Sequence, residues 1–169
     1  MSASETIKKL LRRAGNRPGR RNIAFILAGG RGEITAWPHS HIGRYKLDLT
    51  NVTKEELELA VKWLAEQGLV EVGGRAVDVT GRSYGVPRDA VVVRNTAFAR
   101  GVAFAVQNGR LVAYGDPWGK QAAWDELVTL VQDAVKAVKL ARGLRHMGYH
   151  VQAAWNRQER AIVLVGVEA

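Results

Sequence analysis

The sequence predicts an α+β fold: a largely antiparallel sheet with two main helices packed on one face, plus a basic N-terminal arm with a short helix. Three observations lead there. Two segments carry apolar residues at helical spacing, one around Leu57–Leu64 and a longer one from Trp124 to Ala141. Short β-rich runs, punctuated by glycine, lie between and after them. Asn108-Gly109, set between Val102–Gln107 and Arg110–Tyr114, is the strongest two-residue hairpin signal in the chain.

The elements follow in order. Ser4 is the expected N-cap of a short amphipathic helix reaching Ala14, with Ile7, Leu10, Leu11 and Ala14 on one stripe. Gly15-Asn16-Arg17-Pro18-Gly19 stops it, and Arg20-Arg21 read as a mobile linker. Ile23–Leu27 is expected as a short buried strand. Ala28–Gly32 is then a loop and Ile34–Trp37 a return strand. Tyr45–Leu49 alternates as a strand. Thr53 caps a helix from Lys54 to Gln67, with Glu56 in the capping-box position and Gly68 just beyond its end. Val70–Val72 and Ala76–Thr80 flank Gly73-Gly74 as a hairpin or loop, and Ala90–Arg94 is a further strand. A long helix from Gln121 to Met147 ends at Gly148, burying Trp124, Leu127, Val128, Val131, Val135, Val138 and Ala141. Lys136, Lys139, Arg142, Arg145 and His146 crowd its C-terminal half, where cations complement the helix dipole. Tyr149–Trp155 and Arg160–Val167 close the chain as a hairpin.

Composition narrows the function classes. The 169 residues are 47% hydrophobic and 24% charged, which suits a globular domain and excludes disorder throughout. The longest apolar runs fall well short of the ~20 residues a membrane span needs, and no signal-peptide pattern follows the basic start. The mature chain is therefore expected to begin near Met1. With no cysteine there is no disulfide, thiolate–zinc site or thiol nucleophile, and a cytoplasmic location fits. The net charge of +9 is uneven: residues 1–44 hold nine Lys or Arg against two acids, residues 45–169 sixteen against fourteen. Such a segmental excess concerns partners rather than fold. The expected organisation is a basic arm, residues 1–44, and a compact domain, residues 45–169.

Over residues 45–169 the order of elements is familiar. Leu64-Ala65-Glu66-Gln67-Gly68-Leu69 ends a helix, Gly73-Gly74-Arg75 and Gly81 mark a glycine-rich strand pair, and Asp89–Val93 is a strand. Gly101-Val102-Ala103-Phe104 leads through Asn108-Gly109 to Tyr114, Asp116 and Trp118, and Gly148-Tyr149-His150-Val151 follows the long helix. This order resembles an uncharacterised family of bacterial and plastid proteins, a domain of unknown function of the hypothetical chloroplast reading-frame type. The resemblance implies a compact α+β fold and supplies no active-site residue. The basic start and Ala134-Val135 in the long helix depart from the family pattern.

Candidate sites are few. His39 and His41 would face one side of an extended segment, but two imidazoles do not complete a metal site. Ala28-Gly29-Gly30-Arg31-Gly32 lacks the Gly-Lys-Ser/Thr and the following helix of a phosphate loop. The carboxylates are scattered: Glu55, Glu56 and Glu58 on one helix, Asp125 and Glu126 in the first turn of another, Asp116-Pro117 in a turn. No catalytic constellation is legible, so a non-enzyme without a cofactor is expected. Trp63 and Trp124 belong with the helix stripes, whereas Trp37, Trp118 and Trp155 lie near turns and would favour single strands if exposed beside arginines.

The sharpest functional signal is the arm. Lys8, Lys9, Arg12, Arg13, Arg17, Arg20, Arg21 and Arg31 are the expected phosphate-binding residues for DNA or RNA, without strong sequence specificity. Arginine predominates, which suits bidentate phosphate contact. The alternative is a self-assembling or adaptor module, a homo-oligomer or a binder of an acidic protein, with strand edges such as Arg160–Val167 extending a sheet between chains. The apolar stripe of the first helix is too small for a membrane partner.

Overall fold

The computed structural model describes residues 1–29, 43–47 and 49–169. In chain order the elements are α1 (Ala3–Arg13), β1 (Asn22–Leu27), β2 (Gly43–Lys46), α2 (Lys54–Glu66), β3 (Glu71–Val72), β4 (Val91–Arg94), β5 (Val102–Gln107), β6 (Arg110–Gly115), α3 (Gln121–His146), β7 (Tyr149–Asn156) and β8 (Ala161–Glu168). The fold is α+β, and every strand pairing is antiparallel. The strands form two sheets where one was expected. The chain accordingly divides into two units, Met1–Gly30 with Lys136–Ala169, and Arg31–Val135. Helix α3 contributes residues to both.

The Arg31–Val135 unit holds a five-stranded sheet in the order β2-β6-β5-β4-β3. Its centre is the β5–β6 hairpin, whose turn places Asn108 and Gly109 at φ 52° and 75°, the left-handed pair a type I′ turn requires. Helix α2 starts on a complete capping box. The Thr53 hydroxyl accepts the Glu56 N–H at 3.1 Å, and the Glu56 carboxylate accepts the Thr53 N–H at 2.8 Å. Its stripe of Leu57, Ala60, Val61 and Leu64 is buried. Trp124, fully buried, packs its ring 5.0 Å from Tyr45 and 5.5 Å from Phe98, centroid to centroid. Gly115 makes room for that indole, since a Cβ there would sit 2.8 Å from Trp124 Cη2.

Of the two readings left open around Gly73-Gly74, hairpin or loop, this unit has the loop: Val70–Val72 does not pair with Ala76–Thr80, and β3 pairs instead with β4, Glu71 opposite Arg94 and Val72 opposite Val93. The reason is local. One Asp78 carboxylate oxygen accepts from the Thr80 and Arg82 N–H groups at 2.8 and 3.0 Å, folding 78–82 into a tight turn. The Arg94 guanidinium then ties the intervening loop down, donating to the carbonyls of Gly73 and Arg75 at 3.2 and 2.7 Å.

The other unit is built on the sheet β1-β8-β7. In β8 successive side chains point to opposite faces. Val163, Val165 and Val167 pack with Ala3, Leu10 and Ala14 of α1 and the residue following it, together with Ile7, Leu11 and Ala154. Leu164 packs on the opposite face with Ala141 and Leu144 of α3, Phe25, Tyr149, Val151 and Ala153. A three-layer sandwich results, with α1 on one face of the sheet and the C-terminal part of α3 on the other.

This arrangement changes five expectations. Residues 1–27 form a helical layer and a strand of the unit that contains the C-terminal hairpin, where an arm separate from residues 45–169 was expected. The α1 cap is Ser2, whose hydroxyl accepts the Glu5 N–H at 3.1 Å, so Ser4 lies inside the first turn. Strand β1 is an edge with one described neighbour, leaving Ile23 and Ile26 exposed where a buried strand was expected. Arg160–Val167, expected as a free edge, is the central strand, paired on both sides. The supposed linker is held: the Arg21 carbonyl accepts the Glu168 N–H at 2.9 Å, and the Arg20 guanidinium donates to the Ala169 carbonyl at 2.9 Å.

Candidate nucleic-acid interface

The sequence of α1 has one apolar stripe and one cationic face, and docking on β8 decides which way each points. Burial of Ala3, Leu10 and Ala14 leaves Lys8, Lys9, Arg12 and Arg13 exposed on the outer side. Lys8 to Arg12 and Lys9 to Arg13 are i,i+4 pairs, so the four cations form two ranks about 6 Å apart along the axis. Glu5 is the one carboxylate of the helix, and it accepts a hydrogen bond from the Ser2 hydroxyl at 3.2 Å.

The helix is pinned at its start. Asn156, buried at the end of β7, donates to the Thr6 hydroxyl at 2.8 Å and to the Met1 carbonyl at 3.0 Å. The Asn156 side-chain oxygen, Oδ1, accepts the Glu159 N–H at 2.8 Å, and the Glu159 carboxylate accepts the Ala3 N–H. These contacts hold the cationic face on a fixed scaffold, which lowers the entropy lost when a ligand orders it.

The remaining expected residues are placed as follows. Arg17 is exposed in the turn after α1. Arg20 and Arg21 lie at the end of β8; Arg21 pairs with Glu168 at 4.0 Å, an exposed contact of small energetic weight. Arg31 falls outside the described residues, as do the His39/His41 pair and Ile34–Trp37.

Residues that the arm-based reading left out join the same unit: Lys136, Lys139, Arg142 and Arg145 of α3, and Arg157 and Arg160 at the β7–β8 turn. By sequence count this unit holds 13 Lys or Arg against 3 Asp or Glu, and Arg31–Val135 holds 12 against 13. The net charge of +9 is therefore +10 in one unit and −1 in the other. The signal was visible as the lack of any carboxylate between 136 and 158.

The Arg31–Val135 unit carries a buried polar knot around Asp116. Its carboxylate accepts the Val79 and Trp118 N–H groups at 2.6 and 3.1 Å, and its carbonyl accepts from Arg100 at 2.8 Å. Burial, with help from the Asp116 charge, raises the Tyr45 and Tyr84 phenols above their usual range. Both Asp116 oxygens are engaged by backbone donors, so the carboxylate clamps two loops together. Trp118 is exposed beside Arg100, whose guanidinium donates to the Trp118 carbonyl at 2.6 Å. No family model matches the chain, and no curated protein or solved structure is found similar to it.

Proposed function

We propose that this protein binds the phosphate backbone of nucleic acid, with low sequence specificity and without catalysis. The observation that carries the reading is the separation of charge, +10 in the unit bearing α1 against −1 in the other. Lys8, Lys9, Arg12 and Arg13 supply an ordered cationic row, and Arg17 extends it. Contacts of this kind release counterions and discriminate poorly among sequences.

Fluorescence anisotropy with labelled duplex and single-stranded DNA and RNA across a salt series tests it. The whole chain should bind with a Kd of about 1 μM or tighter at low salt, weakening steeply as salt rises. The variant K8Q/K9Q/R12Q/R13Q keeps good helix formers on the surface and removes four charges. It should flatten the log Kd against log salt slope for duplex DNA by about 3–4. Absence of binding at low salt, or an unchanged slope in the variant, removes the α1 face from the reading.

A second reading, self-assembly, is favoured by a different observation. The β1 edge is uncharged from Asn22 to Leu27 and exposes Ile23 and Ile26. A concentration-dependent oligomer in sedimentation, abolished by I26K, supports that reading.

A further inference from the structure

We infer that the ligand of the α1-bearing unit is single-stranded nucleic acid, seated on a ledge where α1 leaves the first half of β7 uncovered. This rests on the phosphate-binding reading above and adds to it the ligand class and two contact residues, His150 and Gln152. The ledge follows from the way α1 lies on the sheet. Its first turn sits over β7, where the Asn156 amide donates to the Thr6 hydroxyl at 2.8 Å. Just past its end, the Asn22 amide of β1 donates to the Asn16 side-chain oxygen at 3.4 Å. The helix therefore crosses the sheet from β7 toward β1. His150 and Gln152 stand opposite Val167 and Val165 and share the α1 face of the sheet with them. Further along β7, Ala154 packs with the α1 layer and Asn156 is buried, whereas Gln152 and His150 are exposed.

The ledge has a cationic wall and a neutral floor. Thr6, Lys9 and Arg13 follow at i, i+3 and i+7, one stripe of the helix, and the bond from Asn156 to Thr6 turns that stripe toward β7. Lys9 and Arg13 are exposed and stand about 6 Å apart along the axis. Tyr149–Asn156 has no Lys, Arg, Asp or Glu, in a unit that holds 13 Lys or Arg. The wall suits phosphates. The floor suits bases, the Gln152 amide by hydrogen bonds to a base edge and the His150 ring by stacking. Dimensions then choose between one strand and two. With β8 the one described neighbour of β7, the floor is a single strand spacing wide, about 5 Å, and α1 rises about 10 Å above it. A duplex is too wide to enter that corner, and its paired bases offer no free face for stacking. It rests on the cations of α1 alone, whereas a single strand reaches both wall and floor.

The test measures anisotropy of the whole chain with one labelled mixed-sequence DNA oligonucleotide, as a single strand and annealed to its complement, at matched salt. The single strand should bind about tenfold tighter than the duplex. The variant H150A/Q152A should lose that advantage while duplex affinity, the salt slope and the melting temperature stay at wild-type values, because both side chains are exposed and neutral contacts release no counterions. H150F, which keeps a ring to stack on, should retain the single-strand advantage. K9Q/R13Q should lower the single-strand salt slope by about 1.4, two charges at about 0.7 each. A wild-type chain that binds duplex as tightly as single strand overturns the ledge and leaves phosphate binding standing. A single-strand advantage that survives in H150A/Q152A overturns it too, because the bases are then held elsewhere, and so does an unchanged slope in K9Q/R13Q. Failure of the wild-type chain to bind either form at low salt overturns both readings.

Discussion

Tyr84 concentrates the residue-scale energetics of the Arg31–Val135 unit. Its ring packs on Ala76, Val92 and Ala103, but its buried hydroxyl has no hydrogen-bond partner among the described residues. A buried donor without a partner costs about 1–3 kcal/mol of desolvation. Burial first, then the Asp116 and Asp78 charges, raise this phenol above the usual tyrosine value of about 10. The sign follows from linkage. A group whose folded pKa is raised binds its proton more tightly when folded, so its contribution is complete below about pH 10 and is lost as pH climbs past that value. The variant Y84F removes the orphan hydroxyl and the titration together. It should raise stability at pH 7 by up to about 1 kcal/mol and make the decline above pH 10 shallower, as measured by urea unfolding at several pH values. A loss of stability at pH 7 would mean that the hydroxyl has a partner after all.

At the scale of the element, the docking of α1 depends on a few contacts at its first turn. Asn156 is buried and donates two of them, to Thr6 and Met1, while its side-chain oxygen accepts the Glu159 N–H in the β7–β8 turn. Asn156→Ala should destabilise the chain by about 2–3 kcal/mol and speed hydrogen exchange at α1 and the 156–160 turn before the rest. Uniform loss of protection across β2–β6 as well would place its influence elsewhere. The same contacts explain what sequence could and could not reveal. Helix α2 was legible because Thr53, Glu56, Gly68 and the Leu57–Leu64 stripe are local signals. The β5–β6 hairpin was legible for the same reason, through Asn108-Gly109. The pairing of β1 with β8 joins Asn22 to Val167, and nothing local to either strand names the other. A hint did exist: Ala161–Val165 is an unbroken apolar run, the pattern of a strand covered on both faces, and it argued against a free edge. The candidate interface shares this history. Its α1 half was legible as an amphipathic stripe, whereas its α3 half could be read as dipole complementation until the fold brought residues 8–21 and 136–160 into one unit.

For the molecule as a whole, this coupling decides which experiment can weigh the basic N-terminal segment. Deleting residues 1–22 removes seven Lys or Arg, but it also strips Ala3, Leu10 and Ala14 from Val163, Val165 and Val167 and deletes the first residue of β1. Uncovering one face of a central strand costs more than an exposed charge can, since each buried large side chain lost is worth about 2–5 kcal/mol. The truncated chain should therefore bind a hydrophobic dye, lose exchange protection in β7 and β8, and lose nucleic-acid binding through unfolding of that unit. K8Q/K9Q/R12Q/R13Q removes four of the same charges from the solvent side alone, and its melting temperature should stay within about 3 °C of the wild-type value. Thermal melts and dye binding on the two variants side by side separate charge from scaffold. If the truncated chain melts like the wild type and merely binds less polyanion, α1 is an accessory to the sheet rather than one of its layers. If it loses the β8 face as expected, binding measured on the truncation reports folding, and the charge variants are the proper measure of the interface.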